Sequence, residues 1–194
     1  SRVETIGSNA FQNCSSLTSV NIPSKVYNIG TVAFAGCGNL EINAEENNNR
    51  SYSSIDGVLF NSEKTQLICY AKDKKQPVYN IPDDVKYIGQ YAFCQCKSLT
   101  SVSIPGSVTS ISTSAFSNCP SLAEIKVKAT AAPSVNSNTF GYTYDSDSYT
   151  GLNNYDKGTN MLYVPAGATG YDASYWADPL CNAEKCGFTI SYTL

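Results

Sequence analysis

The chain has 194 residues and a formal net charge of -3, and its 13 basic residues include only two arginines. This length corresponds to one domain, and the charge balance provides no basic patch for nucleic acid or for an acidic membrane surface. No apolar run approaches the roughly 20 residues that a membrane-spanning helix needs, so we expect no direct membrane insertion.

One pattern recurs four times along the chain. Each copy contains a Val, an Ile three residues later, an Ala-Phe pair, a Cys and a Leu at constant offsets. The four copies start at Val3, Val26, Val85 and Val108. A period of about 20 to 29 residues rich in Leu, Ile and Val is typical of leucine-rich repeats, whose coils bury their apolar faces by stacking. The pattern predicts one solenoid domain over residues 1–194, with coil 1 at 3–25, coil 2 at 26–48, coil 4 at 85–107 and coil 5 at 108–130.

Each coil is predicted to contain a short strand, an extended segment and a short helix. Val20 and Ile22 alternate with polar residues and precede Pro23, which indicates a strand with one buried face that ends at the Pro. In coil 2, residues 40–44 are one residue short and lack the Pro, so the strand register there stays open. Residues 8–13 are too short for a long helix, and we expect one helical turn. The predicted fold class is a right-handed α/β repeat solenoid.

Residues 49–84 separate coils 2 and 4 and are predicted to form a variant coil, coil 3. Apolar residues at 58–60 and 67–70 flank a polar turn at 61–64, which indicates a hairpin, and Asp56-Gly57 forms a preceding turn. Residues 79–82 then restore the strand and Pro signal. The insertion is therefore interpreted as part of the solenoid and not as a linker.

The repeat pattern weakens after Ala129. Residues 136–160 are rich in Asn, Ser, Thr, Tyr, Asp and Gly, and Leu162, Val164 and Pro165 then match the strand and Pro positions of coil 1. We interpret 131–194 as a Tyr-rich loop, a final strand and an irregular C-terminal cap formed by large apolar residues, among them Tyr171, Tyr175, Trp176, Leu180, Phe188 and Ile190.

Several segments resemble the BspA-like leucine-rich-repeat proteins, surface or secreted proteins common in gut and oral Bacteroidetes. The segments that carry this resemblance are residues 3–23, 85–105, 55–61 and 162–167. The resemblance implies an extracellular or cell-surface protein that acts in adhesion or ligand binding, with a host or bacterial surface protein or glycan as partner. The alternative is a structural spacer within a larger surface protein. Because the repeat pattern starts at Val3 without a polar cap, we expect a leader or further repeats to precede it in the intact protein.

The residue types argue against an enzyme. There is no histidine, which removes imidazole bases and the commonest zinc ligand. None of the eight cysteines forms a Cys-x-x-Cys motif, and we expect no metal or cofactor. The repeat cysteines are predicted to be buried free thiols: Cys14, Cys37, Cys96 and Cys119. The other four can pair in an oxidising setting, with Cys181 and Cys186 or Cys69 and Cys94 as candidate bridges.

Two surfaces are candidate binding sites. The first is the outward face of the repeat strands, represented by Ser19, Asn21, Ser101, Ser103, Glu124 and Lys126. The second is the Tyr-rich loop, where rigid rings stand among small polar residues, a composition typical of recognition loops; its candidates are Tyr142, Tyr144, Tyr149 and Tyr155. A structural capping role for these tyrosines is the alternative.

Overall fold

The computed structural model describes residues 2–44, 49–135, 139–140, 161–171 and 189–193. These ranges contain 14 short strands and no helix. The strands are β1 (Thr5–Ile6), β2 (Ser19–Ile22), β3 (Asn28–Ile29), β4 (Glu41–Ala44), β5 (Tyr52–Ile55), β6 (Val58–Asn61), β7 (Gln66–Cys69), β8 (Val78–Asn80), β9 (Tyr87–Ile88), β10 (Ser101–Ile104), β11 (Ser110–Ile111), β12 (Glu124–Val127), β13 (Met161–Tyr163) and β14 (Thr189–Ser191).

Successive coils pair strand to strand, which confirms the solenoid. The predicted repeat strands form the pair β2-β4 and the parallel sheet β8-β10-β12-β13-β14. The Val-x-x-Ile segments form a second set of short strands, the pairs β1-β3 and β9-β11. Strands β7, β6 and β5 of coil 3 extend the second pair to the sheet β11-β9-β7-β6-β5. Ser101 lies opposite Glu124 and Val102 opposite Ile125, so equivalent repeat residues face one another. Buried side chains of the two strand sets therefore fill the space between them.

The prediction of helical turns is wrong, and the predicted α/β fold class is therefore wrong in its α part. In coil 1 the amides of Asn9, Phe11 and Asn13 donate across to carbonyls of coil 2, at 3.2, 2.8 and 2.9 Å. The amides between them donate back three residues within the coil, as Ala10 does to Gly7 at 3.3 Å. Because alternate amides are committed to the next coil, the i to i-4 ladder of an α-helix cannot form.

The backbone of these corners repeats from coil to coil. Two positions per corner have positive φ: Asn9, Val32, Tyr91 and Ser114 at the first, and Asn13, Gly36, Gln95 and Asn118 at the second. A left-handed residue interrupts a right-handed helix, so each corner is a series of tight turns. Only one of these eight residues is glycine, and the other seven adopt a conformation that disfavours side chains.

The strand register that the sequence left open is regular. Ser19 lies opposite Glu41 and Ile22 opposite Ala44, in a continuous parallel pair. The predicted turns at the strand-ending prolines are also present, since the carbonyls of Pro23, Pro82, Pro105 and Pro165 each accept a bond from the amide three residues later.

Coil 3 contains the predicted hairpin and one strand more. β6 and β7 are antiparallel, with a bulge between Leu59 and Phe60. The additional strand β5 pairs antiparallel with β6 through the turn at Asp56 and Gly57, whose φ values are 50° and 74°. Two consecutive positive φ values match the turn that best joins twisted antiparallel strands.

A row of aromatic rings runs along the core. Phe11 stacks on Phe34 with ring centroids 5.3 Å apart, and Phe93 stacks on Phe116 at 4.8 Å. Tyr70 of coil 3 takes the Phe position and lies 5.1 Å from Phe93. Phe34, Phe93 and Phe116 are buried as predicted, but Phe11 is half-buried and the repeat residue Cys14 is exposed. Coil 1 contacts a described neighbouring coil on one side only, which explains the difference.

The repeat continues beyond Ala129, where the sequence pattern was interpreted as ending. Phe140 stacks on Phe116 at 5.7 Å, and the Phe116 amide donates to the Thr139 carbonyl at 3.0 Å, as the Phe93 amide does to Ala115. Ser134 bridges to Ser110 of β11. Residues 132–135 and 139–140 therefore belong to the corner of a sixth coil, with Thr139 in the Ala position.

The buried apolar side chains form two clusters that divide within coil 3. One cluster belongs mainly to coils 1 and 2 and includes Leu59 and Cys69. The other runs from Val58, Phe60 and Leu67 to the C-terminal coils. Tyr171 closes it, fully buried with its hydroxyl donating to the Ala129 carbonyl at 2.8 Å. Tyr171 belongs to the predicted cap. Tyr175, Trp176, Leu180 and Phe188 lie outside the described residues, and the cap as a whole stays a prediction.

Candidate binding surface

The sheet β8-β10-β12-β13-β14 brings two outward rows of side chains together. One row contains Val78, Ser101, Glu124 and Met161, and the other contains Asn80, Ser103, Lys126, Tyr163 and Ser191. Four of the six predicted face residues therefore share one surface: Ser101, Ser103, Glu124 and Lys126. Ser101 is 7% exposed, so neighbouring side chains cover most of it.

Ser19 and Asn21 lie on a different sheet. Both are exposed on β2, but β4 at the edge of that pair meets strands β5 and β6 of coil 3. The Ile42 amide donates to the Gly57 carbonyl at 3.2 Å, and the Ala44 amide donates to the Ser54 hydroxyl at 3.0 Å. The antiparallel pair β5-β6 thus separates the predicted face into two parts, and no single flat ligand surface spans all six residues.

The C-terminal end of the larger sheet carries the side chains best suited to binding. Glu124 Oε2 and Lys126 Nζ form an ion pair at 3.2 Å, and Lys126 Nζ lies 5.8 Å from the centroid of the Tyr163 ring. Met161 lies beside Glu124 in the adjacent strand. We call Glu124, Lys126, Met161 and Tyr163 the sheet patch.

Met161 and Tyr163 were not identified from the sequence. The signal was present, because inward-facing Leu162 and Val164 place residues 161 and 163 on the opposite face of the strand. A cation held over a Tyr ring and a polarizable Met side chain form a contact surface with more apolar area than the serines offer. The ion pair is half-exposed, so its contribution to stability is about 1 kcal/mol or less.

The Tyr-rich loop cannot be compared with this surface in the structure. Tyr142, Tyr144, Tyr149 and Tyr155 lie outside the described residues, as do Cys181 and Cys186. Their proposed roles stay predictions.

The described cysteines are free thiols in structural positions. Cys119 Sγ donates to the Phe93 carbonyl at 2.9 Å, and Cys37 Sγ makes the same contact with Phe11 at 2.9 Å. Burial raises the pKa of the Cys69 thiol to about 12 and that of Cys94 to about 11. Reactive cysteines need the opposite shift, toward the thiolate. Cys69 and Cys94 are both free, so the candidate bridge between them does not form.

Two further features bear on the kind of site that the described residues can form. They contain no group of three or more His, Cys, Asp or Glu side chains arranged to hold a metal ion. The same part of the chain has no helix long and apolar enough to cross a membrane.

Stacked coils with a parallel strand in each, an inward Leu row and an aromatic row define a leucine-rich-repeat solenoid protein. The BspA type leucine rich repeat region matches residues 1–68 and 67–157, with six copies. This match covers more than half of the sequence, and the chain belongs to the BspA-type leucine-rich-repeat family.

Solved structures with a similar fold come from bacteria. A leucine-rich cell surface protein of Faecalibacterium prausnitzii A2-165 is 29% identical with a TM-score of 0.61, over 86% of this chain and 46% of that chain. The pneumococcal vaccine antigen PcpA is 21% identical with a TM-score of 0.55, over 98% of this chain and 59% of that one. The chain thus spans about half the length of these structures. No protein with a curated description shows significant similarity to it.

Proposed function

We propose that this chain is a non-catalytic extracellular binding module, displayed at the cell surface or secreted, that recognises a protein or glycan of a host or of another bacterium. Family membership and the likeness to a cell surface protein at 29% identity support surface display. The observation that carries the binding role is the sheet patch, where Lys126 lies over Tyr163 beside Met161.

The sheet patch contains two side chains, Met161 and Tyr163, of types that are enriched at protein interfaces. Small hydroxylated residues contribute little to such interfaces, and Lys126 contributes here through its contact with the Tyr163 ring. Residues 141–160 directly precede Met161 in the sequence, so the Tyr-rich segment joins the solenoid at this patch. The C-terminal end of the sheet and the candidate tyrosines are therefore proposed to act as one binding region.

The absence of histidine and the raised thiol pKa values support a non-catalytic role. A buried thiol whose pKa is raised to about 12 is not ionised near neutral pH and is a poor nucleophile.

The proposal is tested by applying the 194-residue chain to arrays of glycans and of extracellular matrix proteins. For each bound molecule, dissociation constants are compared between the wild type and a K126A/Y163A double variant. We expect the variant to bind about tenfold more weakly or worse, because it removes the cation and the ring together. Tyr87→Ala is the matched control, since Tyr87 is 49% exposed but lies on β9 in the other sheet.

The possible outcomes separate two functions. Binding that K126A/Y163A abolishes and Y87A preserves supports the module and its site. Binding that both variants preserve overturns the sheet patch. If no array component binds the wild-type chain, the spacer function is supported instead.

A further inference from the structure

Coil 3 is two residues shorter than its neighbours at one corner. Phe34 follows Ile29 by five positions in coil 2 and Phe93 follows Ile88 by five in coil 4, but Tyr70 follows Leu67 by only three. The corner turns of coils 2 and 4 therefore project on either side of a gap. Ile68 and Cys69 contribute to the lining of this gap, which has a volume of about 470 Å³. We call it the corner groove; its walls come mainly from residues 30–35 and 89–91.

The shortened corner interrupts the hydrogen bonds between coils. Elsewhere the first positive-φ residue of a corner donates to the next coil, as Asn9 does to Thr31 at 3.2 Å and Tyr91 does to Thr113 at 3.3 Å. The Phe two residues later does the same, with Phe11 donating to Ala33 and Phe93 to Ala115, both at 2.8 Å.

In the corner groove the equivalent main-chain groups have no partner in the neighbouring coil. Among the described residues, none accepts a hydrogen bond from the Val32 or Phe34 amide, and none donates to the Gln90 carbonyl. All three residues line the groove. The Ile29 amide at its edge bonds to the Tyr52 hydroxyl at 2.7 Å instead of to a neighbouring strand. The groove thus presents main-chain donors on one wall and a main-chain acceptor on the other.

The side chains around the groove are uncharged. Of the described residues that line it, none is Asp, Glu, Lys or Arg, whereas amide and tyrosyl groups are frequent, among them Asn61, Gln66, Gln90, Tyr27, Tyr52 and Tyr91. The volume is in the range of ligand pockets, which are about 300 to 1,000 Å³. An uncharged ligand with several hydrogen-bonding groups fits this lining.

We propose that the corner groove binds an extended, uncharged peptide segment of a partner protein. In the complete corners the same amides are satisfied by alternate carbonyls of a polypeptide, so their spacing suits peptide groups. A bound segment supplies carbonyl oxygens to Val32 and Phe34 and an N–H to Gln90, which is recognition by main-chain pairing. This site is separate from the sheet patch, and its test does not depend on the proposed function.

The test uses a phage-displayed library of random linear peptides, selected on the wild-type chain. Thr31→Trp places a large side chain in the groove wall, because Thr31 lines the groove. Ser8→Trp is the matched control at the equivalent position of coil 1, outside the groove. We expect selected peptides to bind T31W at least about tenfold more weakly than the wild type and to bind S8W normally.

Two further measurements distinguish main-chain pairing from side-chain recognition. N-methylation removes one main-chain donor from the peptide and leaves every side chain in place. It should therefore reduce the affinity when the methylated amide is at every second position and not at the positions between them. Amide hydrogen exchange of Val32 should slow when the peptide is added, whereas that of Asn9, which is already paired, should not change. The proposal is overturned if no peptide is enriched, if T31W binds the peptides as well as the wild type, or if a neutral glycan occupies the groove and no peptide competes with it.

Discussion

Phe93 and Phe116 occupy the same position of consecutive coils, and their rings stack with centroids 4.8 Å apart and planes only 8° from parallel. Both rings are fully buried, as are the repeat Val, Ile and Leu residues of coils 4 and 5. Each coil therefore depends on its neighbours for most of its apolar contacts.

Phe93→Ala or Phe116→Ala should reduce the free energy of unfolding by about 3 to 5 kcal/mol, because each substitution removes a buried ring and leaves a cavity. Phe11→Ala should cost less, since Phe11 is half-buried. Urea denaturation of the three variants measures the difference, and equal losses would contradict the lower burial of the Phe11 ring.

Tyr70→Phe should leave the protein as stable as the wild type or more stable by about 1 kcal/mol. The Tyr70 hydroxyl is buried, and no described residue bonds to it; burial also raises its pKa. Removing an unsatisfied buried hydroxyl recovers its desolvation cost and restores the Phe of the other coils. Tyr171→Phe is the contrasting variant, since that hydroxyl bonds to Ala129 at 2.8 Å and its loss should destabilise. Thermal denaturation of both variants provides the comparison.

Val32→Gly should raise the melting temperature. Val32 is β-branched and has a φ of 56°, a conformation that costs side-chain-bearing residues roughly 1 to 2 kcal/mol. Glycine removes this cost, although it adds backbone entropy to the unfolded chain, and the net gain should be on the order of 0.5 to 1 kcal/mol. Thr31→Gly is the control, because Thr31 is a neighbouring residue without a positive φ, and this variant should have a lower melting temperature than the wild type. Differential scanning calorimetry measures both variants. If both melt at a lower temperature than the wild type, the backbone is not strained at Val32.

The repeat cysteines should stay unpaired under oxidising conditions. Alkylation of the unreduced protein in denaturant, followed by mass spectrometry, should find Cys14, Cys37, Cys96 and Cys119 modified. In the folded protein Cys96 should react slowly, because burial and the neighbouring Cys119 raise its pKa and favour the unreactive thiol. A disulfide between any two repeat cysteines would refute this prediction.

The Tyr-rich loop is expected to contribute to binding more than to stability. Ala substitution of Tyr142, Tyr144, Tyr149 and Tyr155 should weaken ligand binding by at least about tenfold, or 1.4 kcal/mol, with the melting temperature nearly unchanged. Isothermal calorimetry and thermal denaturation separate the two effects. A sharp fall in melting temperature would make the loop a structural cap, and unchanged binding by the four-Ala variant would confine the site to the sheet patch.

Most of the fold was predictable because the repeat residues are the buried ones. The offsets of Phe34, Phe93 and Phe116 place them in one row whatever the intervening polar residues are. The sixth coil was missed because its corner replaces Val, Ile and Ala with Ala132, Val135 and Thr139, at the same offsets as in coil 5. These substitutions keep the shape of the corner but conceal the pattern.

Other features depend on contacts between coils and could not be predicted from one coil. The short corner segments suggested helical turns because their local sequence does not show that alternate amides bond to the next coil. The corner groove likewise exists because coil 3 lacks two residues that its neighbours possess. For the binding surface, sequence alternation identified the sheet face, but the contact between Lys126 and Tyr163 required the pairing of β12 with β13.

The division of the core within coil 3 affects how this chain comes apart. Repeat proteins unfold as a series of units coupled to their nearest neighbours, and the weakest coupling determines where cooperativity is lost. The apolar clusters divide within coil 3, and corner hydrogen bonds between coils 2 and 3 are missing. We therefore expect coils 1 and 2 to unfold as one cooperative unit while the remaining coils stay folded. A pulling force along the solenoid axis would first separate the coils at this junction.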